Sequence, residues 1–474
     1  MSYYNQNFFL PSLITLVVCI VLKLIYDINN VPATQLVIGI ISAQENFNQR
    51  KTLRDTWLTL ASELDVKYYF VIGKGFCPIP LEYRSSYLSC EKWNPNLEGV
   101  FGETVLNTSR IKIEDKFSKP FKGFSFILSH GIIINRIGIS SKVLNYCKLP
   151  VRVILENAIS GQRVATSTFI NDGRNTDEPQ GVIWKNIPPI HSHEGFEGTI
   201  YVSSDSISTL GSLNLKTELH DRTKIVLFLQ NIDNNGTTEY YEGSVNMVAF
   251  SYTISDYSAL KRKLSEEETE SNSWLAYTEQ LWLKVLQEKN HYNDIVLVDV
   301  VDVYRNLPKK IIEFYKWINA NVKFVYALKT DDDVFIDLPG VMRELSKANQ
   351  WNWWSCFRIG WPVRRAGKWR ETVLNRTEYP PFPSGAGYVV DSLVVHFLVD
   401  NYENLVMDAQ GEDVSMGIWL DDLNLLRLEH SDECKWACSN RCVVGNCNIM
   451  ELSTNQILLA WHNYNNCGLN ICKC

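Results

Sequence analysis

Two separated stretches of this chain read as halves of one α/β domain, and a long run of different texture stands between them. From Leu36 to about Gly73 the order is strand (LVIGIIS), helix (NQRKTLRDTWLTLASEL), strand (KYYFVIG). From Trp274 the alternation resumes as helix (WLAYTEQLWLKVLQEK), strand (DIVLVDVV), helix (PKKIIEFYKWINA) and strand (KFVYALK). Short apolar strands alternating with helical patterns build a parallel sheet covered by helices. Between about 100 and 258 come SFILS, VRVILE, RVATSTFI, GTIYV, KIVLFL and VNMVAFSYTI, divided by turns rich in Gly, Asn and Asp. Helical periodicity is scarce there, and the pattern is that of an all-β sandwich. The expected division is an α/β domain over 36–99 and 274–474, a β-rich insert over 100–260, and a solvated polar linker over 261–273 (KRKLSEEETESNS).

The 474 residues suit two or three domains. A hydrophobic content of 45% with 12% aromatics is that of a globular protein with a large core. A net charge of −7 argues against a broad basic surface for nucleic acid.

Address signals lie at the N-terminus. Phe8 to Leu22 is a nearly unbroken apolar run, followed by Lys23 and Leu24-Ile25-Tyr26. With the lysine snorkelling, residues 8–26 approach the ~20 residues that span a bilayer. A cleaved signal peptide is the rival reading, but no small-x-small site follows in YDINNVPATQ. Either way the bulk of the chain is expected in the secretory lumen. Of twelve cysteines, seven crowd the tail: Cys434, Cys438, Cys442, Cys447, Cys467, Cys472 and Cys474. Their spacing and the lack of a paired His motif favour disulfides over a zinc knuckle. Cys77 and Cys90 are candidates for another closed loop. Without Cys19, in the apolar run, eleven cysteines remain, so one is left over or bonds another chain. Asn107, Asn235 and Asn375 each open an N-x-S/T sequon.

Residues 327–337 read ALKTDDDVFID, with Asp331, Asp332 and Asp333 at the end of a core strand. Three carboxylates there repel one another unless a cation or strong donors sit among them. In an open α/β sheet ligands collect at the C-terminal strand ends. Hard oxygen ligands suit Mg²⁺, Mn²⁺ or Ca²⁺, with water and a diphosphate filling the remaining positions. A calcium-binding turn or a plain surface loop is the blander reading of an acidic triple.

KTDDDVFID resembles the metal motif of the luminal β-1,3-glycosyltransferases, glycosyltransferase family 31, and other marks stand around it in order. Arg50 to Trp57 (RKTLRDTW) is similar to the family's opening R-x-x-x-R-x-T-W, and Phe70-Val71-Ile72-Gly73 to its second strand. Tyr292-Asn293-Asp294-Ile295 and Tyr304-Arg305-Asn306-Leu307 resemble its third strand and following helix start. Then come Pro362-Val363-Arg364, Lys368-Trp369, Tyr379-Pro380, Ser384-Gly385-Ala386-Gly387-Tyr388 and Glu412-Asp413-Val414. The resemblance covers about 36–75 and 275–425 and leaves the insert outside.

The resemblance implies a GT-A-type, Rossmann-like nucleotide-sugar transferase domain interrupted by the β sandwich and tethered by a type II signal-anchor in the Golgi or endoplasmic reticulum. It implies a UDP-sugar donor, a glycan or glycoprotein acceptor, Mn²⁺ or Mg²⁺, and an inverting β-1,3 transfer. The insert's place and the Cys-x-x-x-x-Cys-x-Cys ending look most like a branch that adds N-acetylgalactosamine to terminal N-acetylglucosamine on O-mannosyl glycans, with galactose the next donor.

Carried onto this sequence, Asp413 is the base, with an N-cap aspartate as the alternative. Asp331 and Asp333 are the metal ligands. Asp332, Arg50 and Arg54 serve the donor, the two arginines being one helical turn apart, as on any solvated helix face. Trp369, Gly385, Gly387, Tyr388 and Glu412 are assigned to substrate, the glycines because a Cβ would obstruct close approach. Trp351, Trp353 and Trp354 read as core. Two departures stand out: no histidine is spaced as the family's further metal ligand, His430 and His462 being the ones available, and Phe382-Pro383 replaces a frequent Tyr-Cys. The competing functions are a catalytically inactive chaperone and a lectin-like glycan-binding protein of the same fold.

Overall fold

The computed structural model describes residues 33–97, 104–105, 107–112, 123–141, 144, 150–171, 182–203, 216–221, 223–233, 236–239, 248–347, 351–365, 368–371, 373–423, 425–429 and 431–466. The apolar run at 8–26, the Asn235 sequon and Cys467, Cys472 and Cys474 lie outside them. Among the described residues no helix is long and apolar enough to cross a membrane.

The protein is mixed α/β. Its larger sheet has seven strands in the order Ile295–Val301, Val66–Gly75, Thr34–Ile41, Phe324–Asp331, Phe382–Asp391, Trp353–Arg358 and Arg427–Leu428. The first four run parallel. The strand Phe382–Asp391 is antiparallel to both its neighbours. The central strands are buried on both faces, which is why they read as unbroken apolar runs. Helix Leu307–Asn321 covers one face with Ile311, Phe314, Tyr315 and Ile318, spaced as one helical stripe. Its approach is close: a Cβ on Gly39 would stand 2.2 Å from the Phe314 ring. On the other face Trp57, Val341 and Ile457 share a second core with Leu36, Ile38 and Ile40.

The helix expected through NQRKTLRDTWLTLASEL is broken. An α-helix spans Phe47–Arg54, Thr56 leaves helical geometry, and Trp57–Glu63 continues as 3₁₀. The break lets the buried Trp57 indole donate to the Val334 carbonyl at 3.1 Å. A core anchor overrides local helix propensity here.

The insert has its own core between antiparallel sheets. Six strands, from Gly236–Glu239 to Arg163–Phe169, form one sheet; Thr104–Val105, Val248–Ile254, Ile132–Ser140 and Val182–Ser192 form a second of four. Phe124 and Phe126 of the first sheet meet Phe250 of the second, with ring centroids 6.2 and 4.9 Å apart. The edge strand Val182–Ser192 carries Pro188 and Pro189, which a central strand would not accept.

Two expected boundaries are corrected. Residues 261–273, expected as a solvated polar linker, lie in the first half of a 36-residue helix, Tyr257–Tyr292, capped by the Asp256 side chain accepting from Ala259 N–H. Leu260 of that helix sits in the insert core and Val285 in the sheet core, so one rod ties the two. The insert also reaches further upstream than 100: Trp93 is buried in its core and donates to the Lys224 carbonyl at 2.8 Å.

Disulfides join Cys77 to Cys90, Cys356 to Cys438 and Cys434 to Cys447, and Cys442 is also disulfide-bonded. The tail is stapled as expected, with Cys356 recruited from the strand before it. Asn375 lies exposed.

Candidate active site

Three parallel strands end side by side at Ile41, Gly75 and Val301, and the chain leaving each is held by buried charge. Lys310 donates to the Ser42 carbonyl at 2.7 Å and to Asp302 at 2.7 Å. Asp302 in turn accepts from Gly73 N–H at 3.0 Å. Arg50, with no exposed surface, donates to Ser42 Oγ at 2.9 Å and to Glu288 at 2.7 Å. These contacts fix the 42–44 loop over a crevice of about 740 Å³ lined by Gln44, Phe76, Arg84, Trp274, Asp302 and Tyr304.

The aspartate strand ends beside this crevice. Register pairs Ile41 with Asp331, and Asp332 N–H donates to the Ile41 carbonyl at 3.2 Å. The Asp332 carboxylate is buried and accepts from Asn46 Nδ2 at 2.9 Å and from the Ser42 side chain. It therefore braces the loop. Asp331 keeps 37% of its side chain open and pairs with Lys329 at 2.8 Å. Asp333 is half-buried and fixed through its carbonyl by Leu452 N–H at 2.9 Å. Burial pushes the carboxyls of all three upward. For Asp331, Lys329 opposes that push, while Glu412 and Asp333 add to it.

Lys329 is the hub of the site. The residue is 1% exposed, and its ammonium contacts Asp331, the buried Glu412 and the Gly385 carbonyl. Two opposite charges raise its pKa despite burial. Glu412 opens the helix Glu412–Trp419, and Asp413 follows at its first turn. Asp413 Oδ1 accepts from Val414 N–H at 2.7 Å. Burial and the Glu412 charge push the Asp413 carboxyl up to about 7, against the pull of Val414 N–H, Lys329 and Arg358. A carboxyl poised near neutrality can take a proton at physiological pH.

Near Asp413 stands Tyr304, and beside Tyr304 stands Trp369. A Cβ on Gly411 would meet Asp413 Oδ1 at 3.1 Å and the Tyr304 hydroxyl at 3.7 Å, which places that hydroxyl by the carboxylate. The Trp369 indole N–H donates to the Tyr304 hydroxyl, and Lys368 lies 4.9 Å above the Tyr304 ring. Trp369 is 52% exposed, as an aromatic platform for a sugar must be. Trp351, Trp353 and Trp354 are core, as their alternation implied.

Other assigned residues are placed differently. Arg54 spends its guanidinium on Asp294 and Glu288 at 2.7 and 2.6 Å, beneath the Tyr292 ring. It backs Arg50, which holds the 42–44 loop, through their shared Glu288, and neither arginine lines the crevice; an i, i+4 pair of arginines gives no sign of which way it is buried. Gly387 is needed by packing, since a Cβ would stand 2.3 Å from the Trp436 indole. Gly385 does face Asp413: a Cβ there would meet Asp413 Oδ2 at 3.2 Å and Glu412 Oε1 at 3.5 Å. Tyr388 is fully buried beside Tyr315, and Glu412 is consumed by Lys329, so both act behind the site.

Sequence reasoning missed Lys329, Asn46 and Tyr304 as site residues. Lys329 carried a signal, being a lysine inside an apolar strand two residues before the acidic triple. His430 lies outside the described residues, and His462 is on the exposed side of the last helix, by Asn466. Among the described residues no three His, Cys, Asp or Glu side chains gather as a metal cluster.

Residues 275–431 match the galactosyltransferase family model. The chain is 30% identical over 457 residues to UDP-GalNAc:beta-1,3-N-acetylgalactosaminyltransferase 2 of Xenopus tropicalis, covering 93% of this chain and 91% of that one. It is 30% identical over 460 residues to the Homo sapiens protein of the same name, covering 93% and 89%. To beta-1,3-galactosyltransferase 6 of Mus musculus it is 31% identical over 150 residues, 31% of this chain and 46% of that one. The insert is thus shared with the first two relatives and lies outside the family model.

Proposed function

This chain belongs to the galactosyltransferase family, the β-1,3-glycosyltransferases of glycosyltransferase family 31, and is a UDP-sugar-dependent hexosyltransferase; on that premise we propose that it transfers N-acetylgalactosamine, with inversion, to the 3-hydroxyl of a terminal N-acetylglucosamine. The names of the full-length relatives support the donor. The acceptor is a glycan of protein O-glycosylation, with O-mannosyl glycans favoured by the family resemblance. The enzyme is anchored by residues 8–26 with its catalytic part in the Golgi or endoplasmic reticulum lumen; the disulfides and the exposed Asn375 sequon are consistent with that compartment.

The observation that carries the mechanism is the Asp413–Glu412–Lys329–Asp331 chain of charge, which links a neutral-range base to the aspartate turn. UDP lies in the crevice at the strand ends, with its GT-A-type diphosphate turn at Asp331–Asp333. Two hard carboxylates, Asp331 part-open and Asp333 half-buried, fit a divalent cation that completes its shell with diphosphate and water. When bound, Mn²⁺ or Mg²⁺ neutralises charge growing on the departing diphosphate.

Asp413 takes the proton from the acceptor hydroxyl as that oxygen bonds to the anomeric carbon and the bond from that carbon to the phosphate oxygen breaks. Tyr304 and Trp369 hold the acceptor sugar on the open side of the base. Lys329 keeps Glu412 neutralised, and Gly385 leaves room for Asp413. The test is UDP release by purified full-length protein with UDP-N-acetylgalactosamine or UDP-galactose, a β-N-acetylglucosaminide and Mn²⁺. Acceptor-dependent UDP release that EDTA abolishes and Mn²⁺ restores is expected, favouring the first donor. Absence of release with either donor would leave the inactive-chaperone reading.

A further inference from the structure

A second cleft, of about 630 Å³, opens between the β insert and the transferase domain. Its walls come from three places: Ser89 of the loop closed by Cys77–Cys90, Ile127 and Leu227 of the insert, and Arg305, Lys368 and Arg370 of the transferase domain. Direct bonds tie the disulfide-closed loop to the transferase wall and brace the segments around the cleft. Arg305 N–H donates to the Leu88 carbonyl at 3.0 Å, Arg305 Nη1 to the Arg370 carbonyl at 2.9 Å, and Asn96 N–H to the Thr223 carbonyl at 3.0 Å. The long helix adds a fixed spacer, with Lys92 paired to Glu267 at 2.6 Å.

The cleft's chemistry is that of a built site. Arg370 Nε and Ser89 Oγ are both shielded from solvent and make no hydrogen bond among the described residues. An unpaired buried donor is costly unless a ligand satisfies it. Glu197 and Glu91 bring acceptors, and Ile127, Leu227 and Leu229 bring apolar surface. Mixed donors, acceptors and apolar patches match a neutral sugar, which offers hydroxyls at its rim and C–H groups on its faces. The volume is in the range of small-ligand sites. Lys368 and Arg370 flank Trp369, so one short segment borders both this cleft and the acceptor platform by Asp413.

We propose that this cleft binds the inner part of an extended oligosaccharide acceptor, the sugars and peptide behind the terminal residue that receives the transfer. The insert is then one wall of an acceptor site, and the enzyme prefers long acceptors over short ones. The inference rests on the acceptor-side reading of Trp369 above.

Two variants separate the outcomes. Leu227→Trp fills the cleft from the insert side. Arg370→Met removes the buried donor while keeping the apolar stem. With a glycopeptide carrying an N-acetylglucosamine-terminated oligosaccharide, KM should rise about tenfold in each variant with kcat held. With methyl β-N-acetylglucosaminide, KM should stay within about twofold for Leu227→Trp. Equal rises on both acceptors, or no rise on either, overturn the proposal. Calorimetric titration of the same glycopeptide into wild type and each variant, without UDP-sugar, reads the cleft even if no transfer is detected. Loss of binding in the variants supports it, and equal binding refutes it. Should Leu227→Trp fail to fold, Arg370→Met carries both measurements.

Discussion

Lys329→Met is the sharpest test of how the site is held. The lysine is 1% exposed, and its partner Glu412 has 7% of its side chain open. Removing one partner of such a pair leaves a buried charge uncompensated, at a cost of about 3–5 kcal/mol. Asp331, more than a third exposed, adds little to that figure because water screens it. A loss of about 3 kcal/mol, the lower end of that range, is thus expected in urea unfolding, as a lower midpoint at unchanged m-value. Lys329→Met/Glu412→Leu removes both charges and should recover most of it, since apolar replacement of a whole pair is close to neutral. The same change acts on the base. Lys329 pulls the Asp413 pKa down from where burial and Glu412 push it, so its removal moves the ionisation of Asp413 above about 7. The acidic limb of the pH–rate profile should then shift to higher pH in the single variant. A loss below about 1 kcal/mol, the worth of an exposed pair, together with an unmoved limb would refute the hub.

Three further outcomes follow from the geometry. In the wild type the base must be ionised, so kcat/KM should climb as pH rises through about 7 and level off above it; a carboxyl at its ordinary value would give a flat profile there. Asp413→Asn keeps the shape and cannot take the proton, so turnover should fall by roughly 10²-fold or more while calorimetric UDP binding is kept. Gly385→Ala sets a methyl 3.2 Å from Asp413 Oδ2, so kcat should drop with little change in thermal unfolding, and a drop confined to stability would count against it.

The parts of the site legible in the sequence were those where chemistry and position coincide. Three carboxylates after an apolar strand have few reasons to exist, and Asp413 lies in the first turn of a helix capped by a glycine. Trp369, beside Lys368 before a polar segment, was distinguishable from the buried Trp351, Trp353 and Trp354, which alternate after a helix. What was not legible was direction. Arg50 and Arg54 have the spacing of a ligand-binding face, yet their guanidiniums turn to Glu288 and Asp294, residues more than two hundred positions away. Gly387 and Gly385 are two residues apart on one strand and meet unrelated neighbours, an indole and a carboxylate. A composition or spacing rule cannot separate such cases, because the partner that decides them comes from a distant segment.

The stretch 261–273 shows the same limit at the scale of the fold. Its Lys, Glu and Ser content is that of a solvated linker, and it is indeed solvated, but on the outside of a helix whose apolar anchors are buried in two different cores. Lysine and glutamate are good helix formers, so a polar run between two apolar anchors propagates the helix. Leu260 and Leu264 fix one end in the insert; Leu281 and Val285, at the same i, i+4 spacing, lie buried toward the other. A coil in this place would let the insert drift from the transferase domain. A continuous helix, together with the Trp93–Lys224 and Lys92–Glu267 contacts, holds Leu227 opposite Arg370 at a set distance. The cleft between them therefore exists before any acceptor arrives, and a preformed wall lowers the entropic cost of holding a long, flexible glycan.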